Sequence, residues 1–124
     1  GWGDSPALLY DGDPISPGAR GRPLIYRVWP GYRPTDMAEL ADGSLLIVHR
    51  RFKGAFDFRT LLTMHPPLRG DEREIARGRP LLLLRPPGLS DNFEGLAVAE
   101  SHGRTVIYLM SDDNYVPTQR TLLL

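Results

Sequence analysis

"TDMAELADGSLLIVHRRF" runs from Thr35 to Phe52. It sets an acid and a short stretch of small residues before an Ala41-Asp42-Gly43 turn, then a long apolar run with a polar end. Glycine takes positive φ without steric cost, so the stretch predicts a β-hairpin. The second arm, "LLIV", is apolar at successive positions rather than alternate ones. A strand of that kind needs cover on both faces, and stacked sheets supply it even for antiparallel strands.

The pattern returns once. "FEGLAVAESHGRTVIYLMS" (Phe93–Ser111) again reads acid, small-apolar strand, glycine turn, apolar strand and polar end. Asp36 aligns with Glu94 at an offset of 58 residues, and Gly43 with Gly103 at an offset of 60. A propeller blade repeats every ~40–50 residues, and the loop His65–Arg79 accommodates the extra length. If the two hairpins are successive blades, each acid-led strand lies innermost, and Asp36 and Glu94 share one channel opening. The alternative is a coincidence between two short hairpins.

Other short apolar runs are "PALLY" (Pro6–Tyr10), "PLIYRVW" (Pro23–Trp29), "FDFRTLLTM" (Phe56–Met64), "PLLLLR" (Pro80–Arg85) and "RTLLL" (Arg120–Leu124). All are bounded by turn-forming residues. The expected fold is all-β, a partial β-propeller of about two to three antiparallel four-stranded blades. Residues 1–33 are expected to end an earlier blade, 34–90 to form a complete one, and 91–124 to begin the last. One segment suits a helix: in "GDEREIARG" (Gly70–Gly78), Asp71 and Glu74 have capping-box spacing. It is long enough for a turn or two on a loop.

Composition sets limits. The 124 residues carry 15 basic and 15 acidic side chains and no net charge, which gives no electrostatic case for a nucleic-acid partner. No apolar window is long enough to span a membrane as a helix. With no cysteine, disulfides and thiolate metal sites are excluded. The opening "GWGDSPALLY" has no basic stretch ahead of a long apolar run, so no secretory leader is expected within it, and a leader already removed would leave no trace there.

The strongest chemical cluster is Asp112, Asp113 and Asn114, in "SDDNYVPTQRTLLL" (Ser111–Leu124). Such a loop either supplies oxygens to a hard cation such as Ca²⁺, which takes about six to eight, or makes a turn whose side chains bond nearby backbone. Asp36 and Glu94 join Asp112 and Asp113 as metal ligands if the blade rims converge. Glu94 also suits a general base, or a structural partner of Arg51 or Arg120. Arg50, Arg51 and Arg120 can grip an anion, with surface ion pairing as the alternative. His49, His65 and His102 lack metal-binding spacing, and His102, beside a turn glycine, is expected to be exposed. Trp2, Trp29, Tyr26 and Tyr32 read as packing residues of the first blade.

Taken together, "DNFEGLAV" (Asp91–Val98), "SDDNYVPTQRTLLL" and "PTDMAELADGSLLIVHRRF" (Pro34–Phe52) resemble the phytase-like, or esterase-like phytase, domain family of bacterial proteins. The resemblance covers about three quarters of the chain. It implies a β-propeller exported to the periplasm or secreted, and hydrolysis of phosphate or carboxylic esters as small-molecule substrates. The candidate assignments are then Glu94 and Asp112 as catalytic groups and Arg51, Arg120 and Asn114 as substrate-binding groups. Asp36, Glu94, Asp112 and Asp113 are the candidate calcium ligands. Domains of that family are more than twice this long. The chain is therefore expected to be a fragment, or to self-associate in place of missing blades, with an apolar sheet face left exposed. A non-catalytic propeller that binds a ligand or protein is the alternative.

Overall fold

A computed structural model of the chain describes residues 4–10, 12–52, 57–85 and 93–111, and only the backbone of Phe52 and Glu94. Every regular element among them is a strand: β1 (Asp4–Tyr10), β2 (Gly21–Arg27), β3 (Arg33–Glu39), β4 (Leu45–Phe52), β5 (Phe58–His65), β6 (Glu74–Ile75), β7 (Arg79–Leu84), β8 (Phe93–Ser101) and β9 (Arg104–Ser111). They form three sheets, ordered β1-β2-β6, β3-β4-β5-β7 and β8-β9. The central sheet is an antiparallel meander of four strands, as a propeller blade requires.

Packing shows how the sheets stack. Leu46, Val48 and Leu62 of the central sheet form one buried cluster with Phe93 and Leu109 of the third. Ile47 packs on the opposite side, with Tyr26 and Val28 from the first sheet and its connection. Successive residues of β4 thus serve two interfaces, and its uninterrupted apolar run is the signature of a sheet covered on both faces. The fold is all-β, an arc of stacked sheets that makes a partial propeller.

The outer faces of the arc differ from this. Leu8, at 60% exposure, and Ile25 lie on the face of the first sheet that points away from the centre. Tyr108 and Met110 are exposed on the third, while Leu109 and Ser111 are buried. The run "VIYLM" in β9 is as continuously apolar as "LLIV", yet among the described residues β9 is buried on one face. The strand alternates because no described sheet packs on its far side.

The two hairpins turn differently. Leu40 to Gly43 makes a turn closed by Gly43 N–H donating to the Leu40 carbonyl (2.9 Å), with Gly43 at φ 88°. In the second hairpin, His102 (φ 50°) and Gly103 (φ 74°) both adopt positive φ, which suits the right-handed twist of a two-residue hairpin. Each hairpin carries a bulge at its acid. The register skips Thr35 between Pro34 and Asp36, and Glu94 between Phe93 and Gly95. By register, therefore, Glu94 matches Thr35, and Asp36 lies one place further along. The sequence alignment of Asp36 with Glu94 is off by that one residue.

The expected helix at Gly70–Gly78 is absent. Glu74 and Ile75 instead form β6, which runs parallel to β2 opposite Ile25 and Tyr26. The groups a helical turn would use are engaged elsewhere. The Glu72 carboxylate accepts from the N–H groups of Arg69 and Gly70, the Arg22 guanidinium donates to the carbonyls of Gly70 and Glu72, and Ile25 N–H donates to the Arg73 carbonyl. Residues 66–78 form a strap that leaves the central sheet after β5, adds a strand to the first sheet, and returns as β7.

Candidate functional site at the sheet junctions

The acid-led strands do meet. Leu96 N–H of β8 donates to Asp36 Oδ2 (2.8 Å), and Met37 N–H donates to Asp36 Oδ1 (2.8 Å). Strand β8 presents this N–H on its free edge, and the bulge at Thr35 aims the Asp36 side chain across the gap. One carboxylate thus ties the innermost strands of two consecutive sheets. Asp36 also lines a pocket of about 410 Å³ between the first and central sheets, with Pro6, Tyr26, Thr35, Met37 and Ile47 among its walls.

Arginines gather at one end of the central sheet. Arg33 stands opposite Arg50, and Arg51 opposite Arg59. Like charges directly opposite one another repel, and local partners offset this. Arg59 pairs with Asp57 (3.2 Å), and the Arg51 guanidinium lies over the Tyr32 ring, 6.0 Å from its centroid. Of the predicted site residues, the structure thus places Asp36 and Arg51. Glu94 is described by its backbone, at the bulge of β8. Asp112, Asp113, Asn114 and Arg120 lie outside the described residues. Among those described, no three His, Asp or Glu side chains are grouped to hold a metal ion.

A buried polar cluster was not anticipated. Tyr26 of β2, His49 of β4, and Thr63 and His65 of β5 meet between the first and central sheets. The Tyr26 hydroxyl lies 2.6 Å from His49 Nε2 and 3.3 Å from His65 Nε2. Thr63 Oγ1 is 3.0 Å from His65 Nε2. His49 Nδ1 donates to the Leu61 carbonyl (3.1 Å), and the His65 ring bonds the Ala76 carbonyl. Both imidazoles are held below their ordinary pKa, chiefly because burial disfavours the charged form. Burial also pushes the Tyr26 phenol up to about 12. The sequence did carry a signal: a histidine directly after "LLIV" on a strand buried on both sides must find a partner there. His102 is exposed, as expected.

Stacked four-strand and smaller sheets, with inner strands joined edge to edge, define a propeller-type domain that carries polar groups at its sheet junctions. The chain belongs to the phytase-like family, described as having esterase-like activity of phytase, whose sequence profile matches residues 2–115. Comparisons with curated proteins and with solved structures found no match. No helix among the described residues is long and apolar enough to cross a membrane.

Proposed function

We propose that this chain contributes to a site that hydrolyses phosphate or carboxylic esters, at the opening where β3 and β8 run side by side. The observation that carries this reading is the Asp36–Leu96 bond, which sets the acid-led strands next to each other. Membership of a family described by esterase-like activity supports it. In this reading Glu94, at the β8 bulge, takes a proton from the attacking water, and Asp112 is the second acid–base group. Arg51, Arg120 and Asn114 hold the anionic part of the ester. Export to the periplasm or beyond the cell belongs to the same proposal.

Calcium, if held, would polarise the ester oxygen and offset developing negative charge. The described residues fit it only in part. Both Asp36 oxygens already accept backbone N–H groups. A carboxylate has lone pairs to spare, but one carboxylate falls far short of the roughly six to eight oxygens that Ca²⁺ takes. The calcium proposal therefore rests on Glu94, Asp112 and Asp113 adding to Asp36.

A second reading is a non-catalytic propeller piece that binds a ligand or partner and is inactive alone. The engagement of both Asp36 oxygens by backbone favours it, as do the exposed apolar outer faces of the arc, which suit self-association or further blades. Calorimetric calcium titration with a screen of aryl esters and phytate separates the two. Calcium uptake and turnover, both lost in Glu94→Gln, support hydrolysis. Uptake without turnover supports the binding module. The hydrolytic reading fails if neither this chain nor a longer protein containing it turns over any of these esters.

A further inference from the structure

The 66–78 strap is attached asymmetrically. It is bonded to the first sheet along its length: by Arg22 at Gly70 and Glu72, by Ile25 at Arg73 (3.0 Å), by Arg27 at Glu74 (2.9 Å), and by Arg77 Nε at the Val28 carbonyl (3.0 Å). Trp29 Nε1 adds a bond to the Gly78 carbonyl (3.3 Å), and the Arg77 guanidinium lies over the Trp29 ring. Its described side-chain bond to the central sheet is that of the His65 ring to Ala76. Gly78 lies against the same ring. A Cβ there would collide with His65 Nε2 and stand 2.8 Å from Thr63 Cβ.

We infer that Tyr26, His49, Thr63 and His65 form an acid-released clasp, which closes the first sheet and its strap onto the central sheet while both imidazoles are neutral and opens that seam on proton uptake.

The proton inventory supports this. With both rings neutral, Tyr26 O–H donates to His49 Nε2 and Thr63 O–H donates to His65 Nε2. Each ring then gives its remaining N–H to a backbone carbonyl, Leu61 or Ala76. Every donor has an acceptor. One added proton can be carried as His49 Nε2–H to the Tyr26 oxygen, with the phenol proton turned to His65. A second sets the phenol oxygen between two N–H groups, so the Thr63 hydroxyl must turn its proton from His65 to the more distant Ile47 carbonyl (3.5 Å). Either proton also places a charge where exposure is 0% at His49 and 2% at His65.

Among the described residues no counter-charge meets it. From β2 the cluster receives Tyr26, while neighbouring Arg27 is paired with Asp4 and Glu74. From β4 and β5 it receives His49, Thr63 and His65. The nearest β3 acid, Asp36, is bound to backbone N–H groups. The hollow of about 680 Å³ beside His65 is lined by Arg69, Arg77 and Arg79 and by Glu72 and Glu74. Glu72 is taken by the strap's own N–H groups and Glu74 by Arg27. An unfolded or opened chain binds a proton at the ordinary histidine pKa of 6.5, and the closed cluster binds it only at lower pH. Closure is therefore fully favoured above about pH 6.5 and weakens as pH falls below it. This inference does not depend on the hydrolytic reading.

The test is an NMR titration of His49 and His65 alongside amide hydrogen exchange, corrected for intrinsic rates, from about pH 7.5 to about pH 5. Both should titrate below the ordinary histidine value of 6.5. Peptides of the strap and β1–β2 should lose protection by up to about tenfold per pH unit for each proton taken up, while β8–β9 holds its protection. The His65→Gln variant should flatten the response, and the wild-type titration stands alone if that variant does not fold. The clasp is overturned if the strap's protection is constant across the range, if His49 and His65 titrate at or above the ordinary value of 6.5, or if all three sheets open together.

Discussion

Asp36→Asn isolates the bond on which the junction of the inner strands depends. The carboxylate accepts two backbone N–H groups, one from Met37 and one from Leu96, across 60 residues of chain. Asparagine has one acceptor oxygen and one NH₂ group, so it cannot accept both and turns a donor toward one of them. A hydrogen bond to a charged group contributes about 1.5–3 kcal/mol. The cross-sheet bond is part-buried, which places it near the lower end, and the exposed Met37 bond adds less. The expected loss is about 2 kcal/mol, or a fall in Tm of about 8 °C at about 4 °C per kcal/mol for a chain of this size. Urea melts give the free energy, and amide exchange locates it. The Leu96 amide should lose protection in the variant more than its β8 neighbours do. Unchanged Leu96 protection, with stability within about 0.5 kcal/mol of wild type, would refute the reasoning, since that is the range of a neutral surface change.

Phe93 is fully buried between the central and third sheets, so Phe93→Ala should cost about 3–5 kcal/mol in a denaturant melt. Gly78→Ala should cost about 1–3 kcal/mol, because the added methyl meets His65 and Thr63 on the buried clasp, and thermal unfolding reads it directly. His102→Asn should leave stability unchanged or raise it by a few tenths of a kcal/mol, since asparagine tolerates the positive φ of that turn better than histidine does. Sedimentation analysis should show concentration-dependent association that weakens on Leu8→Ser or Met110→Ser, the exposed apolar residues of the two outer faces.

Much of the fold was legible because hydrophobic patterning speaks directly about cover. The run Leu45–Val48, read as a strand from its flanking turns and β-branched residues rather than from its periodicity, required cover on both faces, and it has it. Glycines at 43 and 103 placed both turns. The segment Gly70–Gly78 misled because capping-box spacing is a local signal, whereas the choice of strand was made by β2, which lies about fifty residues earlier and offers a free edge. The bulges were also hidden: one extra residue in a strand leaves no mark in composition, yet it shifted Asp36 and Glu94 out of equivalence. For the candidate site, Asp36 was singled out as a metal ligand; the structure puts it at the inner-strand junction with both oxygens on backbone N–H groups. For the Tyr26–His49–His65–Thr63 cluster the sequence signalled only that His49 needs a buried partner; which residues supply it was hidden, because the members come from three strands and their spacing follows no motif.

The central claim is that the acid-led hairpins belong to consecutive stacked sheets. Proton NOEs from the Phe93 ring in the full chain test it most directly. The account predicts cross-peaks to the methyl groups of Leu46, Val48 and Leu62 as well as to Leu109 of its own hairpin. Cross-peaks confined to β8 and β9, with none to β4 or β5, would contradict it.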